Sequence, residues 1–233
     1  GSAYFSIYDE SGFISLNSPQ KEWLTRFLML VCCSLEKSKE LIDKLQDYTD
    51  VDDFHRLNGA ESYHYAQKKL EPPANTPLAS RFHAKKIIGW QDARSLWANT
   101  SAIDSLSAAR LSIINVNTAT KVTLMAALEI TGEQAQAIID ARTERPFQNI
   151  SELQPRTKIV LQNNTELINF MPSTNLRVLF WYKGARLNQQ ISVRLSNLAS
   201  RGSPWLIASD ISLALPGHYV KTQPIKPQTG LFD

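Results

Sequence analysis

A chain of 233 residues, 43% hydrophobic and 20% charged, can bury one sizeable core or two modest ones. Its 25 Lys and Arg against 22 Asp and Glu leave a net charge of only +3, which excludes a partner held mainly by bulk charge. The two cysteines, Cys32 and Cys33, are adjacent, which excludes a disulfide scaffold; in an apolar helical stretch they read as small buried hydrophobes. The longest unbroken apolar run, 27–33, is too short to cross a bilayer. The opening Gly1-Ser2 reads as a protease remnant, so the natural chain is expected to begin earlier and to carry a membrane anchor there.

Three zones follow in chain order. In 3–16, Tyr4, Phe5, Ile7 and Tyr8 precede the polar break Asp9-Glu10-Ser11-Gly12, and Phe13, Ile14 and Leu16 follow it, which predicts extended structure with a turn. From 17 to 170 the period is helical: Trp23, Phe27, Leu30 and Val31, then Leu35, Ile42 and Leu45, recur at three- and four-residue spacing. Glu71-Pro72-Pro73-Ala74-Asn75-Thr76-Pro77 is a break that no helix crosses, with helical pattern resuming near Ser80 and after Gly89-Trp90. Within this zone Ile14-Ser15-Leu16-Asn17-Ser18 is echoed 100 residues later by Ile114-Asn115-Val116-Asn117-Thr118, each copy ahead of a helical pattern, which predicts two related helical subdomains.

From 175 the period changes to two. The segments 177–182 and 187–195, joined by Lys183-Gly184-Ala185-Arg186, predict a hairpin in which Ile191, Val193 and Leu195 face inward; Trp205-Leu206-Ile207-Ala208 offers another strand. The first strand needs a partner that only this zone supplies. The order therefore predicts an α+β fold, a small antiparallel sheet interrupted by a helical block. The corresponding parts are 1–16 (first strand region), 17–110 and 111–170 (helical subdomains), 171–215 (C-terminal strands) and 216–233, a Pro-containing tail expected to be flexible.

The densest chemistry lies in 47–61, where Asp47, Asp50, Asp52, Asp53 and Glu61 set five carboxylates against Arg56. Carboxylates packed so closely repel unless they are solvated or bind a hard cation, and Ca²⁺ takes six to eight oxygens. Asn58-Gly59 supplies a tight turn that returns Glu61 toward the aspartates. The spacing is not that of an EF-hand, and a solvated loop capping the next helix is the competing reading. His55 and His64 flank the loop as surface residues. No Gly-x-Ser-x-Gly, Gly-x-Gly-x-x-Gly, phosphate-binding loop or His-Glu-x-x-His occurs, so an enzyme is not expected.

Leu41-Ile42-Asp43 leading into this loop, then Asn58-Gly59-Ala60-Glu61 and Tyr63-His64-Tyr65, resembles minor pseudopilin K of the type II secretion system, the general secretion pathway protein K family. Pro72-Pro73, Asn75, Pro77-Leu78, Gly89, Ile114-Asn115-Val116-Asn117, Ala135, Ala141-Arg142, Pro146-Phe147 and Ser151-Glu152-Leu153 continue the likeness in order. The resemblance implies a pilin-like sheet with a large inserted helical domain of two SAM-like, helix-hairpin-helix-like subdomains. It also implies a periplasmic protein anchored in the inner membrane, a place at the pseudopilus tip with the I-type and J-type minor pseudopilins, initiation of pseudopilus assembly in support of protein export, and Ca²⁺ at Asp47, Asp50, Asp52, Asp53 and Glu61. Tyr48, Phe54-His55 and His83-Ala84 depart from the family pattern. The same 114–147 region resembles a helix-hairpin-helix nucleic-acid-binding module of the DNA-uptake type. Its hairpin, however, reads Ile130-Thr131-Gly132-Glu133, with a glycine missing and a carboxylate where phosphate would sit, so no nucleic-acid partner is expected.

Overall fold

Strand periods at both ends of the chain and helical periods between them become two compact units in the computed structural model, which describes residues 2–98, 100–161, 165–196 and 203–215. One unit joins residues 2–8 to the described residues from 176 onward; the other is 9–175. The tail 216–233 lies outside the described residues.

In chain order the elements are β1 (Ala3–Asp9), β2 (Ile14–Ser15), α1 (Lys21–Val31), α2 (Leu35–Thr49), α3 (Ser62–Gln67), α4 (Arg94–Ala98), α5 (Thr100–Asp104), β3 (Leu106–Ser107) and β4 (Ile114–Asn115). There follow α6 (Lys121–Leu128), α7 (Gly132–Glu144), α8 (Leu153–Thr157), β5 (Ile168–Asn169), β6 (Asn175–Tyr182), β7 (Leu187–Leu195) and β8 (Trp205–Ala214). In the sheet unit the strand order is β1-β6-β7-β8, so the first strand neighbours the first strand of the third zone although the whole helical block separates them. Four residues join β6 to β7, too few for a parallel crossover, so that pair is a hairpin. β7 and β8 run antiparallel from Leu187↔Ala214 to Leu195↔Trp205, with a bulge at Ser192/Val193. Tyr4 stacks on Trp181 at 5.8 Å between ring centres.

The hairpin's inward face differs from expectation. The most buried side chains of β7 are Asn188 and Gln190, while Ile191 and Val193 are half-buried and Leu195 is exposed. Asn188 Nδ2 donates to Ala214 O at 3.3 Å, while its Oδ1 is buried without a partner.

The helical unit holds a continuous apolar core. α1 buries Trp23, Leu24, Phe27 and Leu28 and packs against α2 and α6. α2 starts where Ser34 accepts from Lys37 N and buries Leu41, Ile42, Leu45 and Tyr48. α6 and α7 are started by Thr120 and Thr131; Thr131 and Gln134 exchange side-chain-to-backbone hydrogen bonds across the first turn of α7. Cys32 and Cys33 are joined as a disulfide, a correction to their reading as two separate small hydrophobes. Helix α1 ends at Val31, so the two residues occupy a break before α2, where their side chains can meet.

The sequence echo has a structural counterpart. In each copy a two-residue strand pairs in parallel with a later one, β2 with β3 and β4 with β5. Two residues beyond each short strand an asparagine clamps the subdomain. Asn17 Nδ2 donates to Leu78 O (2.8 Å) and Ala108 O (2.6 Å), and its Oδ1 accepts from Leu78 N (2.8 Å). Asn117 Nδ2 donates to Phe147 O (2.8 Å) and Phe170 O (3.0 Å), and its Oδ1 accepts from Phe147 N (2.8 Å). Leu78 and Phe147 each follow a proline.

Asp9, just ahead of the first copy, is held by residues of the second. Its Oδ1 accepts from Ser11 N (3.1 Å), Ser173 N (3.0 Å) and Ser173 Oγ (2.8 Å), and its Oδ2 from Ser11 Oγ (2.6 Å), Asn115 Nδ2 (2.8 Å) and Thr118 Oγ1 (2.9 Å). Gly12 lets the chain pass this close, since a Cβ there would stand 2.7 Å from Thr118 O. Burial pushes the Asp9 carboxyl pKa up, but the bonds from Ser11, Ser173 and Asn115 outweigh it, and the net shift is below the ordinary 3.8.

Replacing Asn17 or Asn117 by Ala is expected to lower unfolding free energy by about 2 kcal/mol, because each leaves an amide and two carbonyls unpaired. Denaturant titration measures it. Asp9→Ala should cost more than Asp9→Asn. Because the folded pKa of Asp9 is depressed, its stabilisation is complete above pH about 5 and is lost as pH falls through the folded value, so the gap between wild type and Asp9→Asn should shrink in acid.

Candidate functional site

The acidic loop is built from α2 outward. Asp43, Asp47 and Asp50 recur at i, i+4 and i+7 and so share one face of the last turns of that helix. Each takes hold of the loop that follows. Asp43 Oδ2 accepts from Asn58 N (3.3 Å) and Nδ2 (3.1 Å). Asp47 is fully buried and accepts from Arg56 N at 3.1 Å through Oδ2 and from Arg56 Nη1 at 2.5 Å through Oδ1. Asp50 Oδ2 accepts from the same Nη1 at 2.7 Å. Gly59 is required where the loop returns, since a Cβ there would stand 1.7 Å from Asp47 Oδ2.

Glu61, immediately before α3, is only 5% exposed, and neither carboxylate oxygen has a hydrogen-bond partner. Asp50 Oδ1 is likewise buried and unpaired. Glu61 N donates to His64 Nδ1 at 3.1 Å, one half of a capping box at the start of α3 in which the Glu61 side chain turns toward the helix's first N–H groups. Burial, then the negative charges of Asp47, Asp50, Asp53 and Asp52, push the Glu61 pKa up to about 7. A buried, unpaired carboxylate facing other carboxylates is costly alone and is relieved by a cation.

Asp52 and Asp53 stand on the exposed part of the loop, where Asp52 Oδ1 accepts from Phe54 N at 3.0 Å. His55 is exposed and His64 half-buried, their rings edge-on at 5.4 Å; His55 Nδ1 donates to Arg56 O at 2.9 Å. Among the described residues, no three His, Cys, Asp or Glu side chains already surround a common point as metal ligands would. At this site the Arg56 guanidinium stands between Asp47 and Asp50. Asp47, Asp50 and Glu61 nonetheless supply the hard oxygens, the burial and the uncompensated charge that a divalent cation would satisfy. Two residues take roles here that the sequence reading does not assign them, Asp43 as a clasp and Arg56 as a bridge. Asp43 was detectable from its helical spacing with Asp47 and Asp50, whereas the placing of Arg56 has no local signal.

The α6–α7 hairpin is the other site with a functional reading. Glu129 adopts the left-handed conformation (φ 57°) there, Thr131 caps α7, and Glu133 lies in the first turn. An open cavity of about 720 Å³ beside it is lined by Lys121, Glu133, Gln136 and Asp140 among others. Its single lysine is already engaged, Nζ donating to Gln136 Oε1 at 3.2 Å.

Residues 114–167 match the family described as type II secretion system (T2SS), protein K. The fold is similar to a solved chain from the GspK-GspI-GspJ complex of the enterotoxigenic Escherichia coli type 2 secretion system, with a TM-score of 0.65 and 14% identity over 91% of this chain and 80% of that one. No curated protein sequence matches the chain.

Two substitutions probe the acidic loop. Gly59→Ala should destabilise by about 2–4 kcal/mol, because the methyl group overlaps the buried Asp47 carboxylate. Glu61→Gln should raise the melting temperature in chelator at pH 8, by the equivalent of about 1 kcal/mol, since it removes an unmatched buried charge. Thermal scans measure both.

Proposed function

We propose that this chain, a type II secretion system protein K by its matched segment and its fold, is a minor pseudopilin of the pseudopilus tip. The observation that carries the reading is the insertion of residues 9–175 between two strands, β1 and β6, that are neighbours in one sheet. An insert of that size is hard to fit within a close-packed helical shaft and is accommodated at its end. The role is structural rather than enzymatic. The chain joins the I-type and J-type minor pseudopilins, starts pseudopilus assembly in the periplasm from an inner-membrane anchor, and so supports export across the outer membrane. Aromatic and aliphatic side chains exposed on the sheet unit, among them Phe5, Tyr182 and Trp205, are of the kind enriched at protein interfaces.

The acidic loop is the second part of the reading. Asp47, Asp50 and Glu61 from its buried side, with Asp52 and Asp53 from its rim, would hold Ca²⁺. Supporting this are the unpaired oxygens of Glu61 and Asp50 and the raised Glu61 pKa. The ion would neutralise the loop and fix the path from α2 to α3, adding stability by mass action.

Co-expression with the I-type and J-type pseudopilins tests the first part: a stable ternary complex on size exclusion is expected, and a chain that elutes alone at micromolar concentration counts against it. For the second, millimolar Ca²⁺ should raise the melting temperature by several degrees over chelator, and Asp50→Ala should abolish that rise. An unchanged midpoint on chelation sinks the calcium reading.

A further inference from the structure

Arg56 bears on how the acidic site is filled, an inference that rests on the cation reading above. The site already contains a cation, and the chain supplies it. Arg56 Nη1 bridges Asp47 Oδ1 and Asp50 Oδ2 at 2.5 and 2.7 Å, one carboxylate from the last turn of α2 and one from the residue just past it. A hydrogen-bonding nitrogen at this distance from both occupies the volume an ion would need. The arrangement is incomplete as a neutralisation. One guanidinium meets Asp47 and Asp50, while Glu61, more than nine-tenths buried, keeps both oxygens without a partner.

We infer that Arg56 is a resident counter-cation that a divalent ion displaces, so that ion uptake by Asp47, Asp50 and Glu61 is an exchange rather than an addition. Exposure sets which group yields. The Arg56 side chain is 36% exposed and can turn into water, whereas the Asp47 side chain is fully buried and cannot. A doubly charged ion can engage the third carboxylate, which the guanidinium leaves unmatched.

The exchange also has a mechanical side. Asp47 holds the loop backbone at Arg56 N through Oδ2 and the guanidinium through Oδ1, so an ion taken up on Oδ1 replaces the guanidinium and leaves the backbone grip in place. A second clasp is Asp43 on Asn58. The segment between α2 and that clasp carries Val51, Phe54 and Leu57 with their side chains almost wholly in solvent, and it is the part that the ion would fix.

Calcium titration by calorimetry on wild type, Arg56→Gln and Glu61→Gln, at one ionic strength, tests the exchange. Arg56→Gln should bind Ca²⁺ at least about tenfold more tightly than wild type, and Glu61→Gln markedly more weakly. Arg56→Lys, which keeps the charge but not the fork, serves if the Gln variant does not fold and should fall between the two. Hydrogen exchange on wild type should show amides 51–57 exchanging more slowly when Ca²⁺ is added. Wild type that binds Ca²⁺ while Arg56→Gln binds equally or less tightly overturns the exchange and leaves the calcium reading standing. Absence of binding in every variant overturns both.

Discussion

The helical unit depends on one buried carboxylate. Asp9 ends β1 and receives six hydrogen bonds from four residues, Ser11, Asn115, Thr118 and Ser173, the last three more than a hundred positions away. Bringing a carboxylate out of water is expensive, and only a full complement of donors offsets it. Asp9 has that complement, so the cost of desolvation becomes a constraint on geometry. The turn at Gly12, the start of the second helical copy and the last residues before β6 must all arrive together. The bonds close the insert on itself, joining the point where the chain enters it to the point where it leaves.

The same principle runs in reverse in the acidic loop. Asp47 is also buried and served by donors, in this case Arg56, but Glu61 is buried without any. One site has satisfied its charges permanently and is structural. The other leaves Glu61 and one oxygen of Asp50 buried without a donor, a cost that the surrounding protein groups do not offset. The two asparagine clamps stand nearer the first case. Asn17 and Asn117 are neutral, each making one bond from its carbonyl oxygen's side and two from its amide, and they hold equivalent loops in the two copies.

Much of this was legible in the residues. The change of period near 175 separated strands from helices, and the requirement that the first strand find a distant partner anticipated the adjacency of β1 and β6. The repeat of Ile-x-x-Asn at 14–17 and 114–117 pointed to two copies of one motif. The inward face of β7 differs from the expected one, because alternation alone cannot say which set of side chains the fold covers, and here it covers Asn188 and Gln190. The adjacent cysteines were read through the apolar run around them, although the helix stops one residue earlier.

By itself, then, the sequence determined what depends on neighbours along the chain: helical periods, the caps at Ser34, Thr120 and Thr131, the proline break, and the concentration of carboxylates in 47–61. Tertiary structure decided which of those groups meet. That Asp9 reaches Asn115 and Ser173, that Glu61 is buried without a donor, and that Arg56 folds back between Asp47 and Asp50 are all consequences of long-range packing. Local propensity reflects the conformations a few residues can adopt, whereas the cost of a buried charge depends on everything packed around it, and only the folded chain specifies that surrounding.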